Sequence, residues 1–213
     1  MKEAVIFDLD GTLWDSSRNV ALAWNSVFRK YGIERRTDRD EIRYNYTGRT
    51  LNDIGVILFP DMPDSERKAV MADCVEAENE LIAKNGGMLY SGVEKVLSEL
   101  KRRYFVALVS NCQESYLNVF FKTSGLSCFF DDSECNGRTG LPKADNIRLV
   151  TDRNDIQKAV YIGDTVWDKE AADTLGIPFI HASYGFGKLD SVFSAADISD
   201  FPRLCAHIFD KNF

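Results

Sequence analysis

The sequence lacks the features that mark several large classes of protein. No apolar stretch approaches the roughly 20 residues that a bilayer-spanning helix needs, so we expect no membrane partner. Basic residues are not clustered and the formal net charge is −7, which argues against a nucleic-acid partner. The five cysteines form no Cys-x-x-Cys pair, and we find no signal peptide. These absences predict a soluble, cytoplasmic protein with free thiols.

The sequence does contain continuous apolar runs that alternate with helical stripes, which are segments where apolar residues recur at helical spacing. Four apolar runs are typical of buried strands, at residues 4–7, 105–109, 159–162 and 179–180. Apolar residues recur at helical spacing between them. This alternation predicts an α/β fold, a Rossmann-like parallel sheet with helices on both faces. With 213 residues, 45% of them hydrophobic, the chain is long enough for one such domain and an insertion.

The predicted insertion follows the first strand. It contains helical stripes at residues 20–31 and 70–81, and no strand is evident between residues 14 and 88. About 75 residues without a strand are too many for an ordinary connection. We therefore predict a small α-helical cap domain at residues 15–87, inserted into a core domain formed by residues 1–14 and 88–213.

Two aspartates follow the first strand. Asp8 and Asp10 come directly after the apolar run, and Gly11 follows them. Because open α/β sheets bind ligands at the carboxyl ends of their strands, we expect both side chains at a ligand site. Two carboxylates this close stay ionised at low cost only when a cation or a proton lies between them, so the pair predicts a metal ion. Taken alone, an Asp-x-Asp after a strand is also typical of a helix cap or a turn.

Three later segments carry further polar residues. They are Ser110 with Asn111 after the strand at 105–109, Lys143 at the start of a predicted helix, and Gly163, Asp164 and Thr165 with Asp168 after the strand at 159–162. Together with Phe7 to Leu13 (FDLDGTL), they resemble, in order and spacing, the four motifs of the haloacid dehalogenase-like hydrolase superfamily. The insertion is similar to the helical cap of its phosphoglycolate phosphatase and β-phosphoglucomutase branch. Lys158 is a second candidate for the motif lysine, and we prefer Lys143 because it opens a helix before the third strand.

The resemblance implies a site for Mg²⁺-dependent phosphoryl transfer. Asp8 would be the nucleophile that forms an aspartyl phosphate, and Asp10 would be the general acid and base. The other implied roles are phosphate binding by Thr12, Ser110, Asn111 and Lys143, and Mg²⁺ binding by Asp8, the Asp10 backbone carbonyl, Asp164 and Asp168, the last directly or through water. In the insertion, Arg49 resembles a substrate-facing cap residue that could bind a carboxylate or a second phosphate. A solvated loop arginine is the alternative.

These features predict an enzyme that hydrolyses a small phosphorylated metabolite, with phosphoglycolate as the leading substrate by resemblance. A phosphosugar mutase of the β-phosphoglucomutase type is the alternative, and a catalytically silent binding module is another. Haloacid dehalogenases lack the acid found here at Asp10, which disfavours dehalogenation. A phosphonoacetaldehyde hydrolase needs a cap lysine where this chain offers Arg49, which disfavours that activity too. We expect a monomer or a weak dimer.

Overall fold

The structure is a computed structural model that describes residues 1–211, so the last two residues of the predicted core range 88–213 lie outside the described residues. Its strands are β1 (Glu3–Phe7), β2 (Trp14–Asp15), β3 (Met88–Leu89), β4 (Phe105–Ser110), β5 (Asp132–Cys135), β6 (Lys158–Gly163), β7 (Phe179–Ala182) and β8 (Phe193–Ala195). Its α-helices are α1 (Ser17–Lys30), α2 (Arg39–Glu41), α3 (Leu51–Leu58), α4 (Asp64–Asn85), α5 (Val93–Lys101), α6 (Glu114–Ser124), α7 (Asn136–Thr139), α8 (Lys143–Arg153), α9 (Val166–Leu175) and α10 (Phe201–Asp210). A π-helical turn at Ile42–Tyr46 continues α2, and 3₁₀ turns occur at Leu126–Phe129 and Ile198–Asp200.

Six parallel strands form one sheet, in the order β5-β4-β1-β6-β7-β8. β1 lies between β4 and β6, with Ile6 opposite Ala107 on one side and opposite Tyr161 on the other. The four strands that the apolar runs predict are all present. The structure therefore confirms the Rossmann-like parallel sheet, and it adds an edge strand on each side, β5 and β8.

Alternate residues of β1 pack against opposite faces of the sheet. Val5 and Phe7 belong to the larger apolar cluster, and the Phe7 ring meets Phe201 of α10 edge to face at 5.8 Å. Ala4 and Ile6 belong to a second cluster with residues of α8 and α9. Helices thus cover both faces, which explains why all four residues of this run are apolar.

The helical insertion leaves and rejoins the core through a short antiparallel ribbon. β2 pairs with β3, with Trp14 opposite Leu89 and Asp15 opposite Met88, and helices α1 to α4 lie between the two strands in the chain. The sequence pattern predicts no strand here, and it misses the ribbon because two residues are too few to show an alternation. The exact limits of core and cap stay a prediction.

The helices of the insertion pack on each other and on the core. α1 buries Trp24 and Phe28, α4 buries Val70 and Cys74, and these residues share one apolar cluster with strand residues of the sheet. Within residues 1–211, none of the helices combines the length and the apolarity needed to cross a membrane.

Candidate active site

The predicted side chains converge at the carboxyl edge of the sheet. Asp8 follows β1, Ser110 ends β4 and Asp164 follows β6, and all three side chains are buried. These three strands are adjacent, and β1 lies where the strand order reverses. Open α/β sheets bind their ligands at this position.

A buried lysine links two of the aspartates. Lys143 Nζ lies 2.8 Å from Asp8 Oδ1 and 2.5 Å from Asp168 Oδ1, and none of the three side chains is more than 4% exposed. Burial raises the pKa of Asp8 to about 7, although the charge of Lys143 opposes this. Burial alone would lower the pKa of Lys143, but the charges of Asp168 and Asp8 raise it well above its ordinary value. Lys143 therefore stays protonated beside Asp8. The alternative lysine, Lys158, is the first residue of β6 and thus lies at the end of that strand opposite the site.

Asp8, Asp164 and Asp168 form a carboxylate group suited to a divalent cation. Each offers one oxygen, and these oxygens lie within 4.8 Å of one another. Asp164 Oδ1 is buried and has no hydrogen-bond partner among the described residues. Burial, together with the charges of Asp168 and Asp8, raises the pKa of Asp164 well above its ordinary value. A cation would relieve this cost, and carboxylate oxygens are ligands that Mg²⁺ prefers, so these residues fit Mg²⁺.

Two glycines allow the backbone to approach Asp164. A Cβ atom on Gly11 or on Gly185 would collide with the Asp164 side chain. Gly11 also has a φ of +84°, in the left-handed region that favours glycine. Asp164 Oδ2 accepts a hydrogen bond from the Phe186 backbone N–H at 2.6 Å. These contacts fix the carboxylate and leave its Oδ1 for a cation.

Both oxygens of Asp168 already accept hydrogen bonds. Oδ1 accepts from Lys143, and Oδ2 accepts from the Thr165 backbone N–H at 2.8 Å and from Thr165 Oγ1 at 2.7 Å. The contacts with Thr165 form a capping box at the start of α9. The geometry therefore makes Asp168 a positioning residue that orients Lys143 toward Asp8. Ligation of the metal by Asp168 stays a prediction.

Asp10 is held in place by two aromatic side chains. Its Oδ1 accepts hydrogen bonds from Tyr116 Oη at 2.5 Å and from Trp14 Nε1 at 3.1 Å. Burial raises the pKa of Asp10 to about 6, with the Tyr116 hydrogen bond opposing and the charge of Asp15 adding to the rise. A carboxyl group with a pKa near neutrality can both release and accept a proton. Nothing in the sequence pattern points to Tyr116, because an aromatic residue on a helix is typical of core packing.

A pocket of about 100 Å³ opens between the insertion and the core. Of the predicted residues, Asp8, Asp10, Ser110, Asn111 and Arg49 line it. Thr12, Lys143, Asp164 and Asp168 are buried and do not line it. Thr12 Oγ1 has no hydrogen-bond partner among residues 1–211, while the Thr12 carbonyl accepts from Tyr184 Oη at 2.6 Å. The contact of Thr12 with phosphate stays a prediction.

Arg49 lies on the insertion side of the pocket. Its Nε donates to the Asn45 carbonyl at 3.0 Å, and its guanidinium lies 4.9 Å from the centre of the Trp167 ring. Among the ion pairs of the described residues, none includes Arg49. Its position is consistent with the predicted binding of a substrate anion.

The insertion approaches the core closely at Gly48. Asn111 Nδ2 donates to the Gly48 carbonyl at 2.8 Å. Gly48 has a φ of +84°, and a Cβ atom there would lie 2.9 Å from both Thr165 Oγ1 and Trp167 Cδ1. Glycine is therefore required for this approach.

Comparison with known proteins identifies relatives over nearly the whole chain. The family model described as haloacid dehalogenase-like hydrolase matches residues 5–182. A phosphoglycolate phosphatase of Rhodobacter capsulatus is 29% identical over 214 residues, covering 96% of this chain and 95% of that protein. A phosphoglycolate phosphatase of Synechococcus elongatus is 26% identical over 199 residues, covering 91% of this chain and 89% of that protein.

Solved structures share the fold. A haloacid dehalogenase-like family hydrolase from Streptococcus pneumoniae has a TM-score of 0.78 at 22% identity, covering 95% of this chain and 98% of that one. CbbY from Rhodobacter sphaeroides, in complex with phosphate, has a TM-score of 0.80 at 20% identity, covering 94% and 96%. The family model spans most of the chain and includes all four motifs. The chain therefore belongs to the haloacid dehalogenase-like hydrolases, the family that its motifs predict.

Proposed function

We propose that this hydrolase is a Mg²⁺-dependent phosphatase that acts on a small phosphomonoester through an aspartyl phosphate on Asp8. The observation that carries the proposal is the buried contact of Lys143 Nζ with Asp8 Oδ1 at 2.8 Å. A second acid, Asp10, follows Asp8 by two residues. A nucleophile with its charge partner and a proton donor are thus held together. The names of the relatives support the phosphatase class and make phosphoglycolate the first substrate to test.

In the first step, an oxygen of Asp8 attacks phosphorus, and the bond from phosphorus to the oxygen of the leaving alcohol breaks. Asp10 gives its proton to that oxygen, so the product leaves as a neutral alcohol. Lys143 offsets the negative charge that gathers as the phosphate approaches Asp8. Ser110 and Asn111 in the pocket wall would donate hydrogen bonds to phosphoryl oxygens.

In the second step, water attacks phosphorus while the ionised Asp10 takes its proton. The bond between phosphorus and Asp8 breaks and inorganic phosphate leaves. Asp8 is then a free carboxylate again, and Asp10 is protonated again. One group serves as acid and then as base most efficiently when its pKa lies near the working pH, and burial raises the pKa of Asp10 to about 6. When bound by Asp8 and Asp164, with Asp168 and the Asp10 carbonyl as further predicted ligands, Mg²⁺ would neutralise charge on the phosphoryl oxygens.

The proposal also covers the role of the insertion, the location of the protein and its oligomeric state. The helical insertion, residues 15–87, acts as a cap that excludes water from the pocket. Free cysteines support a cytoplasmic location. The enzyme works as a monomer or a weak dimer.

Phosphate release from a panel of small phosphomonoesters, measured with Mg²⁺ and with EDTA, tests the proposal. We expect release that depends on Mg²⁺ and that Asp8→Asn abolishes, because this change removes the nucleophile at nearly constant volume. Asp173→Asn on the exposed side of α9 is a matched control that should keep wild-type rates. Release that survives EDTA or Asp8→Asn would overturn the mechanism. Conversion of a phosphosugar without release of phosphate would favour the mutase.

A further inference from the structure

One acid of the pocket has no part in the mechanism described above. Glu78 belongs to α4, whose neighbouring Glu80 is exposed. The Glu78 side chain is only 7% exposed, and it lines the pocket together with Asp8 and Asp10. Glutamate is almost never this buried unless it is paired. A buried acid facing the space for substrate therefore needs a partner.

The hydrogen bonds of Glu78 leave one of its oxygens free. Oε2 accepts from Trp24 Nε1 at 2.6 Å. Among the described residues, Oε1 has no hydrogen bond and the side chain has no ion pair. Oε1 is not fully sealed from solvent, so a molecule in the pocket can reach it. Trp24 thus fixes one oxygen as an acceptor, and the other is available to a molecule in the pocket.

The surroundings of Glu78 favour one kind of partner. Burial raises the pKa of Glu78 to about 8, with the Trp24 hydrogen bond opposing and the charge of Asp10 adding to the rise. Both protonation states are therefore populated near neutral pH. A hydroxyl group both donates and accepts, so it pairs with either state, whereas a carboxylate pairs only with the protonated acid and an ammonium only with the ionised one.

Building on the proposed phosphatase function, we infer that Glu78 is a specificity residue that selects a leaving alcohol with a second hydroxyl group, as in the monophosphate of a diol, a polyol or a sugar. Apolar side chains of the insertion, Val20, Ile42 and Ile54, would cover its carbon chain. An alkyl analogue leaves Oε1 desolvated and unpaired, and sites built to bind a hydroxyl strongly reject analogues that lack it.

Arg49 is the competing influence, because it attracts carboxylates such as that of phosphoglycolate. Its guanidinium lies over the Trp167 ring and its side chain is partly exposed, so solvent and salt weaken this attraction. Glu78 lies in the drier part of the same pocket, where an unpaired group costs more. We therefore expect phosphoglycolate to be a poorer substrate than its hydroxyl analogue.

The test compares kcat/KM for two- and three-carbon monophosphates that end in methyl, hydroxyl, ammonium or carboxylate, with an aryl phosphate as reference. We expect the wild-type enzyme to prefer hydroxyl over methyl by at least about tenfold. Glu78→Ala should bring that ratio close to one. Glu78→Gln keeps an acceptor for Trp24 and offers an amide N–H to the pocket, so it should keep the hydroxyl preference and raise the relative rate for carboxylate at pH 8 several-fold. Glu80→Gln is the matched control.

Ratios between substrates cancel any general loss of active enzyme, so a merely structural role of Glu78 would not change them. The proposal is overturned if wild-type enzyme that is active on the aryl phosphate shows no preference for hydroxyl or prefers carboxylate, or if Glu78→Ala keeps the wild-type ratio. Absence of Mg²⁺-dependent release from every ester, including the aryl phosphate, would instead overturn the phosphatase function, and this inference with it.

Discussion

Replacing Lys143 with methionine should strongly destabilise the protein. The change removes an ammonium that lies 2.8 Å from Asp8 and 2.5 Å from Asp168, and it keeps most of the side-chain volume. Two buried carboxylates then lose their shared cation, and removing one partner of a buried ion pair costs about 3–5 kcal/mol. In a chain of this length each kcal/mol lowers Tm by about 2–4 °C, so we expect a drop of roughly 6–20 °C.

The same substitution should make stability depend more steeply on pH. Lys143 opposes the effect of burial on the pKa of Asp8, so its loss raises that pKa further above its usual value. A carboxyl group with a higher pKa in the folded chain than in the unfolded chain binds its proton more tightly when folded. Its contribution to stability is therefore lost as the pH rises above the unfolded value of about 3.9. The penalty of Lys143→Met should be larger at pH 8 than at pH 5.

Thermal unfolding followed by circular dichroism in EDTA measures both effects. Lys169→Met is the matched control, because Lys169 pairs with the exposed Asp173, and exposed pairs contribute about 0–1 kcal/mol. Added Mg²⁺ should restore part of the stability lost in Lys143→Met, since a bound cation again balances the carboxylates. A Lys143→Met protein that unfolds at the wild-type temperature at both pH values would refute the role of Lys143 as the charge partner of Asp8.

Two other substitutions test the acid role of Asp10 and the ion pair of Asp15, the first residue of the insertion. Asp10→Asn should slow the hydrolysis of alkyl phosphates by about 10²–10⁴-fold and that of aryl phosphates much less, because a good leaving group needs little protonation; equal losses would contradict the acid role. Burial alone would raise the pKa of Asp15, but hydrogen bonds from Arg43, Ser17 and Arg39 lower it to about 2. Its stabilisation is present above the unfolded pKa and is lost as the pH falls toward 2. Asp15→Asn should therefore cost about 2–3 kcal/mol in urea unfolding at pH 7 and less than about 0.5 kcal/mol at pH 2, and a constant cost would count against this ion pair.

The central strands could be predicted because burial on both faces leaves a continuous apolar run. All residues of the run at 4–7 are fully buried, so each position required an apolar side chain. The edge strands have no such pattern. β5, Asp132–Cys135, is polar, and its acids Asp132 and Glu134 pair with Arg153. β8 has only three residues.

The site residues divide in a similar way. Asp8 and Lys143 could be predicted because they come directly after a strand and at the start of a helix, where the fold itself fixes their position. Tyr116 and Glu78 could not, because a helix position that faces a pocket looks like one that faces the core until the insertion is packed on the sheet. The contacts of Asp168 depend on the direction of each carboxylate oxygen, which a motif does not specify.

The close approach of the insertion to the core at Gly48 has a consequence for the size of the substrate. Any side chain at this position would meet Thr165 and Trp167 and act as a spacer between the two parts of the protein. Without one, the loop rests directly on the core, and the pocket beside it keeps a volume of about 100 Å³. We therefore expect Gly48 to limit the size of the substrate, so that bulky phosphate esters are excluded by shape before any charged group of the pocket can act on them.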